Sequence, residues 1–217
     1  MVRHSPFAVR NSSAFTMIEI AICLAIISFA ILAVIGVLPI GLNTQRDTRE
    51  ETIINQDATM LLEAIRSGSR GANDLTKYVY AITNSTTGVG WNTSYLTTGA
   101  RIVGLLSTPG TQHYVAYVRS MSGQAAEKPP QNNAIMLDSS FTYRVVCVNV
   151  PAVGRNNQLA YNQHELRMTF LWPQLPNGKV GNSRQTFRTT IAGQMIMTND
   201  NGQNLYFYQS QSFTNAP

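Results

Sequence analysis

The sequence predicts an α+β protein in which a long N-terminal helix precedes a β-rich globular head. Residues 20–42 form an apolar stretch of 23 residues without a charge, and apolar residues at helical spacing continue to about residue 66. From residue 75 onward, runs rich in Val, Ile, Tyr, Phe and Thr alternate with turn-forming Gly, Pro, Asn and Ser. We therefore expect four parts: an N-terminal segment (1–14), an apolar helix (15–42), its amphipathic continuation (43–70) and the head (71–217).

The composition excludes two classes of protein. With 44% hydrophobic residues, the 217-residue chain has enough apolar material to form a core, so it is not intrinsically disordered. A disulfide scaffold is excluded because there are only two cysteines, of which Cys23 lies inside the apolar stretch and Cys147 in the head. Charged residues make up only 12%, about half the usual share, which favours an exported or envelope protein.

The net charge of +5 is dispersed along the sequence. From Leu61 onward there are twelve basic and six acidic residues, and Arg101, Arg119, Arg144 and Arg167 occur singly. Proteins that bind nucleic acid usually carry Lys and Arg in a cluster or stripe. We interpret the dispersed arginines as residues on the solvent-facing sides of strands, and nucleic acid is not expected as a partner.

The apolar stretch is long enough to cross a membrane, since about 20 helical residues span the hydrocarbon core. Arg3, His4 and Arg10 precede it with no acid before Glu19, so the positive-inside rule places residues 1–14 in the cytoplasm. A cleaved secretory signal is disfavoured, because such signals have a shorter apolar core and a small-x-small cleavage site. The pattern predicts a single-pass protein with its head on the far side.

Glu19 is a carboxylate at the start of this apolar stretch. A charge beside hydrocarbon is unfavourable unless it reaches the headgroups or is paired. Two interpretations follow: an interfacial residue that faces headgroups, or a functional residue with a cationic partner.

The residues around Glu19 form a motif. The sequence AFTMIE at residues 14–19, with a short basic leader before it and the apolar stretch after it, resembles the class III signal of type IV pilins and type II secretion pseudopilins. The resemblance implies cleavage between Ala14 and Phe15, N-methylation of Phe15, and retention of the helix in the mature protein. The family usually has Gly before the cut, where this chain has the small residue Ala14.

The resemblance also implies a role for Glu19 and a set of partners. Glu19 would pair with the new amino group of Phe15 in a neighbouring subunit and set the axial register of the helices, a recognised use of charge pairs in low dielectric. The implied partners are the prepilin peptidase, other pilin or pseudopilin subunits, and the inner membrane. The implied fold is pilin-like, with an antiparallel sheet packed on the second half of the helix and the head periplasmic or extracellular.

Three helix breakers, Gly36, Pro39 and Gly41, lie near the end of the apolar stretch. Pro39 lacks a backbone donor and clashes with the preceding turn, so we expect a kink or local melting over residues 36–41. In the family, such breakers are associated with helices that loosen on entering the filament. An ordinary proline kink of a membrane helix is the alternative.

The second half of the helix is predicted to be amphipathic and to end near Arg66, before the breakers of residues 67–71. The expected apolar face consists of Ile54, Ala58, Leu61, Leu62 and Ile65, and the acidic residues expected on other faces are Glu50, Glu51, Asp57 and Glu63.

Six strands are predicted in the head: 76–82, 101–106, 113–119, 141–150, 165–172 and 185–191. The alternation is clearest in residues 165–172, and the turn residues 173–178 then predict a hairpin with the last strand. Loops 84–99 and 120–133 are expected to form the variable surface, and Trp91 is expected to pack within the first of them.

No catalytic or metal site is predicted. His4, His113 and His164 have no metal partner at useful spacing, and no nucleophile or phosphate-loop motif occurs. Residues 199–202, Asn-Asp-Asn-Gly, are better interpreted as a polar turn than as a calcium loop, because a bidentate Glu is missing. We expect no cofactor and no enzymatic activity.

The first hypothesis is therefore a pilin-like structural subunit of a type IV pilus or type II secretion pseudopilus, found in a filament after assembly. The resemblance is shared by major and minor subunits, and by pilus, secretion and DNA-uptake systems. The alternatives are a single-pass, membrane-anchored periplasmic binding or sensor domain that keeps its leader, and an exported hydrolase.

Overall fold

The computed structural model describes residues 15–68, 72–122, 141–152, 161–175 and 177–214. The predicted leader, with Ala14, and most of the predicted loop 120–133 lie outside the described residues. The chain divides into two compact units, Met1–Arg49 and Glu50–Pro217.

The described residues confirm the α+β class, with a long N-terminal apolar helix and a C-terminal antiparallel sheet. The elements are α1 (Met17–Arg66), a 3-10 helix (Ala72–Lys77), β1 (Val79–Asn84), β2 (Gly90–Asn92), α2 (Gly99–Leu106), β3 (Gly110–Arg119), β4 (Thr142–Pro151), β5 (Gln163–Gln174), β6 (Val180–Ala192), β7 (Gln194–Asp200) and β8 (Gln203–Gln209).

Helix α1 ends at Arg66, as predicted, and it runs through all three predicted breakers. Gly36, Pro39 and Gly41 are helical, so the local melting expected over residues 36–41 does not occur in this structure. A proline removes only one backbone donor, and helical turns on both sides can keep the ladder in place. A bend at Pro39 and loosening in a filament stay predictions.

Six strands form one antiparallel sheet in the order β2-β1-β3-β4-β5-β6. The predicted hairpin is confirmed, because β5 pairs with β6 from Gln163↔Ala192 to Gln174↔Val180. The predicted alternation is confirmed as well: Leu166, Met168 and Phe170 are fully buried, while Arg167 between them is exposed. One face of the sheet therefore lines the core, and the other face contains the intervening side chains.

The core face of the sheet packs with the second half of α1. Ile54, Ala58, Leu61 and Ile65 are buried together with core residues of β1, β3, β4 and β5. Leu62, which was expected on the same face, is only partly buried. The predicted helical spacing thus identifies the contact face correctly apart from its margin.

The predicted strand 101–106 is wrong, because these residues belong to helix α2. Thr98 caps the helix, its hydroxyl accepting from the amide of Arg101, and Ile102, Leu105 and Leu106 are buried. A short apolar run between turn residues is compatible with a buried strand or a buried helix, and periodicity cannot separate them. The first predicted strand, 76–82, is shifted, since residues up to Lys77 form the 3-10 helix and β1 begins at Val79.

Strands β7 and β8 form a second, two-stranded sheet that the sequence analysis did not predict. Their turn centres on Asn201 and Gly202, which have φ of 52° and 83°, the combination required by a type I′ turn. Leu205 and Tyr208 of β8 belong to the core. Tyr208 donates to the Asn149 amide oxygen at 2.7 Å, and Asn149 donates to the Ser107 carbonyl at 2.5 Å, so the hairpin is hydrogen-bonded into the core.

Asp57 was expected on a polar face of α1, and that expectation is wrong. The residue is 0% exposed. Its Oδ2 accepts from the Met121 amide at 2.9 Å and from the Tyr143 hydroxyl at 2.8 Å, and its Oδ1 accepts from the Ser122 hydroxyl. Because these three donors satisfy the carboxylate, Asp57 can be buried beside the apolar residues of the helix although its side chain is acidic.

Asp57→Ala is expected to destabilise the head by about 3 kcal/mol, because it leaves the Tyr143 hydroxyl and the Met121 amide buried without an acceptor. Urea denaturation of the full chain in nonionic detergent, followed by aromatic fluorescence, measures this loss. Glu63→Ala removes an exposed carboxylate of the same helix and serves as the control. Equal stabilities of the two variants would contradict the anchoring role of Asp57.

The Asp57 interaction also predicts a pH dependence. Burial raises the pKa of Asp57 in the folded head, against the opposing effect of its hydrogen bonds. A raised folded-state pKa means that its stabilising contribution is complete below the unfolded pKa of about 3.9 and is lost as the pH rises through the folded value. The free energy of unfolding of the native chain, relative to that of Asp57→Asn, should therefore increase from pH 7 to pH 4. A decrease over that interval would show that the hydrogen bonds outweigh burial.

Candidate functional site

The first part of α1 exposes apolar side chains on every side. All residues from Phe15 to Arg49 are exposed, and the large apolar ones among them include Ile18, Leu24 and Phe29. Among the described residues, α1 alone is long and apolar enough to cross a membrane. A helix that is apolar all round is suited to hydrocarbon or to the interior of a helical assembly.

Thr16 and Glu19 form a capping box at the start of this helix. Glu19 Oε2 accepts from the Thr16 amide and from the Thr16 hydroxyl, both at 2.8 Å, and the Glu19 amide donates to Thr16 Oγ1 at 3.3 Å. The reciprocal pattern satisfies backbone donors that the first helical turn leaves free. The negative charge also lies at the positive end of the helix dipole.

The capping box gives Glu19 a role within its own chain that the sequence analysis missed. The signal was present as T-x-x-E before an apolar run. Both bonds from Thr16 go to Oε2, and within the described residues no hydrogen bond to Oε1 is found. One carboxylate oxygen is therefore committed to the cap, while the other can accept from a second group.

The predicted cleavage position is only half described. Phe15 is 81% exposed and lies two residues before Met17, where α1 begins, whereas Ala14 is outside the described residues. Phe15 and Glu19 are thus both at the N-terminal end of α1. Cleavage, methylation and register-setting stay predictions.

Polar residues further along the apolar helix bond to its own backbone. The Ser28 hydroxyl donates to the Leu24 carbonyl at 2.7 Å, and the Thr44 hydroxyl donates to the Ile40 carbonyl at 2.9 Å. Such i−4 bonds reduce the cost of placing a hydroxyl in hydrocarbon. Cys23, in the same part of the helix, is an exposed free cysteine.

In the head, the predicted turn at Asp200 is confirmed and has a structural role. Arg101 donates to both carboxylate oxygens of Asp200, at 2.6 and 3.3 Å, and to the Tyr95 carbonyl at 2.9 Å. The Arg101 interaction lowers the pKa of Asp200. The carboxylate thus connects the β7–β8 turn to α2 and to the segment before it.

Trp91, predicted to pack in its loop, is half-buried in β2 and stacks on Tyr114 with ring centroids 6.0 Å apart.

The remaining titratable groups do not converge on a site within the described residues. His113 is exposed on β3, while His164 is buried beside Tyr208, and burial lowers its pKa. Burial raises the pKa of the Cys147 thiol to about 12, so it stays protonated at neutral pH. In the part of the chain that the structure describes, no three His, Cys, Asp or Glu residues could share a metal ion.

The fold and this site together define an α+β protein whose N-terminal helix could cross a membrane. Comparison with protein-family models, curated proteins and solved structures gives no match to this chain. The resemblance to pilins therefore depends on the N-terminal motif alone.

Thr16→Ala is expected to fray the first turn of α1, because it removes the capping hydroxyl and frees Glu19 Oε2 from one bond. Hydrogen exchange of the amides of residues 17–20, measured by NMR in phosphatidylcholine nanodiscs, should become roughly fivefold faster. Thr44→Ala removes a mid-helix hydroxyl and should leave these amides unchanged. Unchanged exchange in the Thr16 variant would contradict the cap.

Proposed function

We propose that the chain is a pilin-like, non-enzymatic structural subunit that is processed after Ala14 and assembles through its N-terminal helix into a type IV pilus or type II secretion pseudopilus. The observation that carries the proposal is the exposed apolar part of α1, residues 17–42, which has one carboxylate, Glu19, at the fifth position after the proposed cut. An apolar helix of this kind needs either lipid or other helices around it. A filament subunit uses both in turn.

The membrane stage is supported by the length and composition of α1. The helix has 50 residues, and a run of 23 without charge is sufficient for the hydrocarbon core. The basic residues of the leader favour a cytoplasmic N-terminus, where a prepilin peptidase would cut. In this proposal the inner membrane holds the subunit until it is assembled, with the head periplasmic or extracellular.

The assembly stage is supported by the unused oxygen of Glu19. Oε2 is bonded to Thr16, and Oε1 is directed to no other group among the described residues. After cleavage, the methylated amino group of Phe15 is a cation and a donor at the end of every helix. Pairing Glu19 Oε1 with the Phe15 ammonium group of a neighbour neutralises both charges in low dielectric, and other axial offsets leave both unpaired.

A second function is favoured by the same capping box. Because Thr16 already satisfies Glu19 within one chain, the carboxylate is compatible with a single helix at the membrane interface. The corresponding function is a single-pass, membrane-anchored periplasmic binding or sensor domain that keeps its leader. The two functions differ in whether Glu19 needs a second subunit.

Glu19→Ala should spare membrane insertion and impair incorporation into filaments, whereas Thr16→Ala keeps the carboxylate and should assemble. Membrane fractionation, shear release of filaments and immunoblotting measure both steps. Normal incorporation of the Glu19 variant would refute the pairing. Equal impairment of the two variants would assign Glu19 to the cap alone.

The mature N-terminus separates the two proposed functions directly. Intact-mass analysis of protein purified from its native membrane should show a chain that begins at methylated Phe15. A chain that begins at Met1 would refute processing and favour the anchored domain. A chain that begins beyond residue 42 would favour the exported hydrolase.

A further inference from the structure

The sheet face opposite the core carries a set of arginines that are scattered in the sequence. Strand pairing places Arg144 of β4 opposite Leu171, and Leu171 opposite Arg184 of β6. It also places Arg167 of β5 directly opposite Arg188 of β6. Arg119 extends the set onto β3, two residues from Tyr117, which is paired with Arg144. We call these five arginines, Arg119, Arg144, Arg167, Arg184 and Arg188, the arginine face.

The arginine face is broad and strongly positive. Strands lie about 4.8 Å apart and residues on one face of a strand repeat every 6.8 Å or so, which gives an area of about 14 by 20 Å. Glu165 is the acid described on the same face, and it lies 3.5 Å from Arg167. The face thus has five positive charges and one negative charge among its described residues. The dispersed arginines interpreted from sequence as solvated singles are neighbours in the folded head.

The pair Arg167 and Arg188 is unfavourable for folding by itself. Like charges directly opposite each other on adjacent antiparallel strands repel and destabilise the pair. Both residues are exposed, and Glu165 offsets only one of the two charges. A bound anion would remove this repulsion.

Two arginines of the face are held in place by aromatic rings. The Arg119 guanidinium lies 5.5 Å from the Tyr80 ring centroid, and the Arg144 guanidinium lies 4.9 Å from that of Tyr117. The two tyrosine rings are themselves in contact, with centroids 6.0 Å apart. Stacking of this kind orients the planar guanidinium, which then loses less freedom on binding an anion.

A second copy of this head is not a suitable occupant of the face. Asp57 is buried, and the other acids described after it are each in an ion pair: Glu63 with Arg66, Asp74 with Lys77, Glu165 with Arg167 and Asp200 with Arg101. These acids are dispersed over α1, the 3-10 helix, β5 and the β7–β8 turn. Among the described residues from 72 to 214 there is therefore no acidic surface that matches the arginine face.

Protection of the sheet edge explains only part of the set. Charged residues on an edge strand prevent further strand pairing, and Arg184 and Arg188 lie on the edge strand β6. Arg119, Arg144 and Arg167, however, lie on the interior strands β3, β4 and β5. Their positions need another reason.

We propose that the arginine face binds the phosphate backbone of nucleic acid without sequence preference. Arginine forks match phosphate oxygens bidentately, and a nucleic-acid backbone presents phosphates closely enough to occupy several arginines at once. Anionic lipid fits less well, because peripheral membrane surfaces insert exposed apolar or aromatic side chains. On this face the rings of Tyr80 and Tyr117 are in contact with the guanidinium groups of Arg119 and Arg144. Val150 is the large apolar residue exposed on this side of β4. The inference is independent of filament assembly.

The test uses the full chain in phosphatidylcholine nanodiscs and a fluorescently labelled 30-nucleotide DNA, single-stranded and duplex, with binding measured by anisotropy from 0.05 to 0.3 M NaCl. Arg184→Gln/Arg188→Gln removes two exposed charges of the face. Arg66→Gln/Lys77→Gln removes two exposed charges from α1 and the 3-10 helix and is the matched control. A third arm measures flotation of the same nanodiscs with phosphatidylglycerol vesicles.

We expect salt-dependent binding by the native chain and by the control. The face variant should bind at least roughly tenfold more weakly at 0.1 M salt, and its log–log salt slope should be smaller by about 2. Its melting temperature should equal or exceed that of the native chain, since the repulsion between Arg167 and Arg188 is gone. No binding of DNA, equal loss in the control, or binding of the anionic vesicles in place of DNA would overturn the proposal. None of these results depends on whether residue 14 is cut or Glu19 is paired.

Discussion

The buried carboxylate of Asp57 determines where the second half of α1 lies on the sheet. Its two oxygens accept hydrogen bonds from two parts of the head, the segment just after β3 through Met121 and Ser122, and strand β4 through Tyr143. Apolar contacts by Ile54, Ala58, Leu61 and Ile65 supply most of the burial, but such contacts tolerate small shifts along the helix axis. A charged acceptor with fixed donors does not tolerate them, because any shift leaves a buried charge or a buried donor unsatisfied. The sheet, α2 and the β7–β8 hairpin are then assembled around a helix in one position.

Local patterns in the sequence predicted the elements whose two faces differ clearly. The alternation of β5 identified both its buried residues and its partner β6, since a half-buried strand has one polar and one apolar face. Residues 101–106 lack that contrast, so α2 was mistaken for a strand, although Thr98 is a suitable N-cap. The β7–β8 hairpin was missed even though Asn201-Gly202 is a strong hairpin signal.

Features that depend on distant residues could not be predicted in the same way. The helical spacing alone does not decide whether Asp57 lies on the buried or on the exposed face of α1. The groups that donate hydrogen bonds to it are more than 60 positions later in the sequence. The arginine face exists only because strand order and register bring four strands side by side. The Thr16–Glu19 capping box is different, because it is entirely local and the pattern T-x-x-E before an apolar run predicts it. The resemblance to pilins implies a different, intermolecular role for the same residue.

Two of the acidic residues of helix α1, Asp57 and Glu19, differ in how many of their carboxylate oxygens accept hydrogen bonds. Asp57 uses both oxygens on donors of its own chain and is fully buried. Glu19 uses one oxygen on Thr16 and is exposed. The first arrangement is closed and suits a structural anchor. The second leaves Glu19 Oε1 able to accept a hydrogen bond from another molecule.

The position of Leu205 and Tyr208 in the core has a consequence for biosynthesis. The apolar half of α1 leaves the ribosome first and is complete before any strand of the head has been made. The core, in contrast, includes residues of α1 and of β8, and nearly the whole sequence of the head separates these two elements. The helix can therefore form well before the core closes, and the head completes its folding only after translation of its last strand.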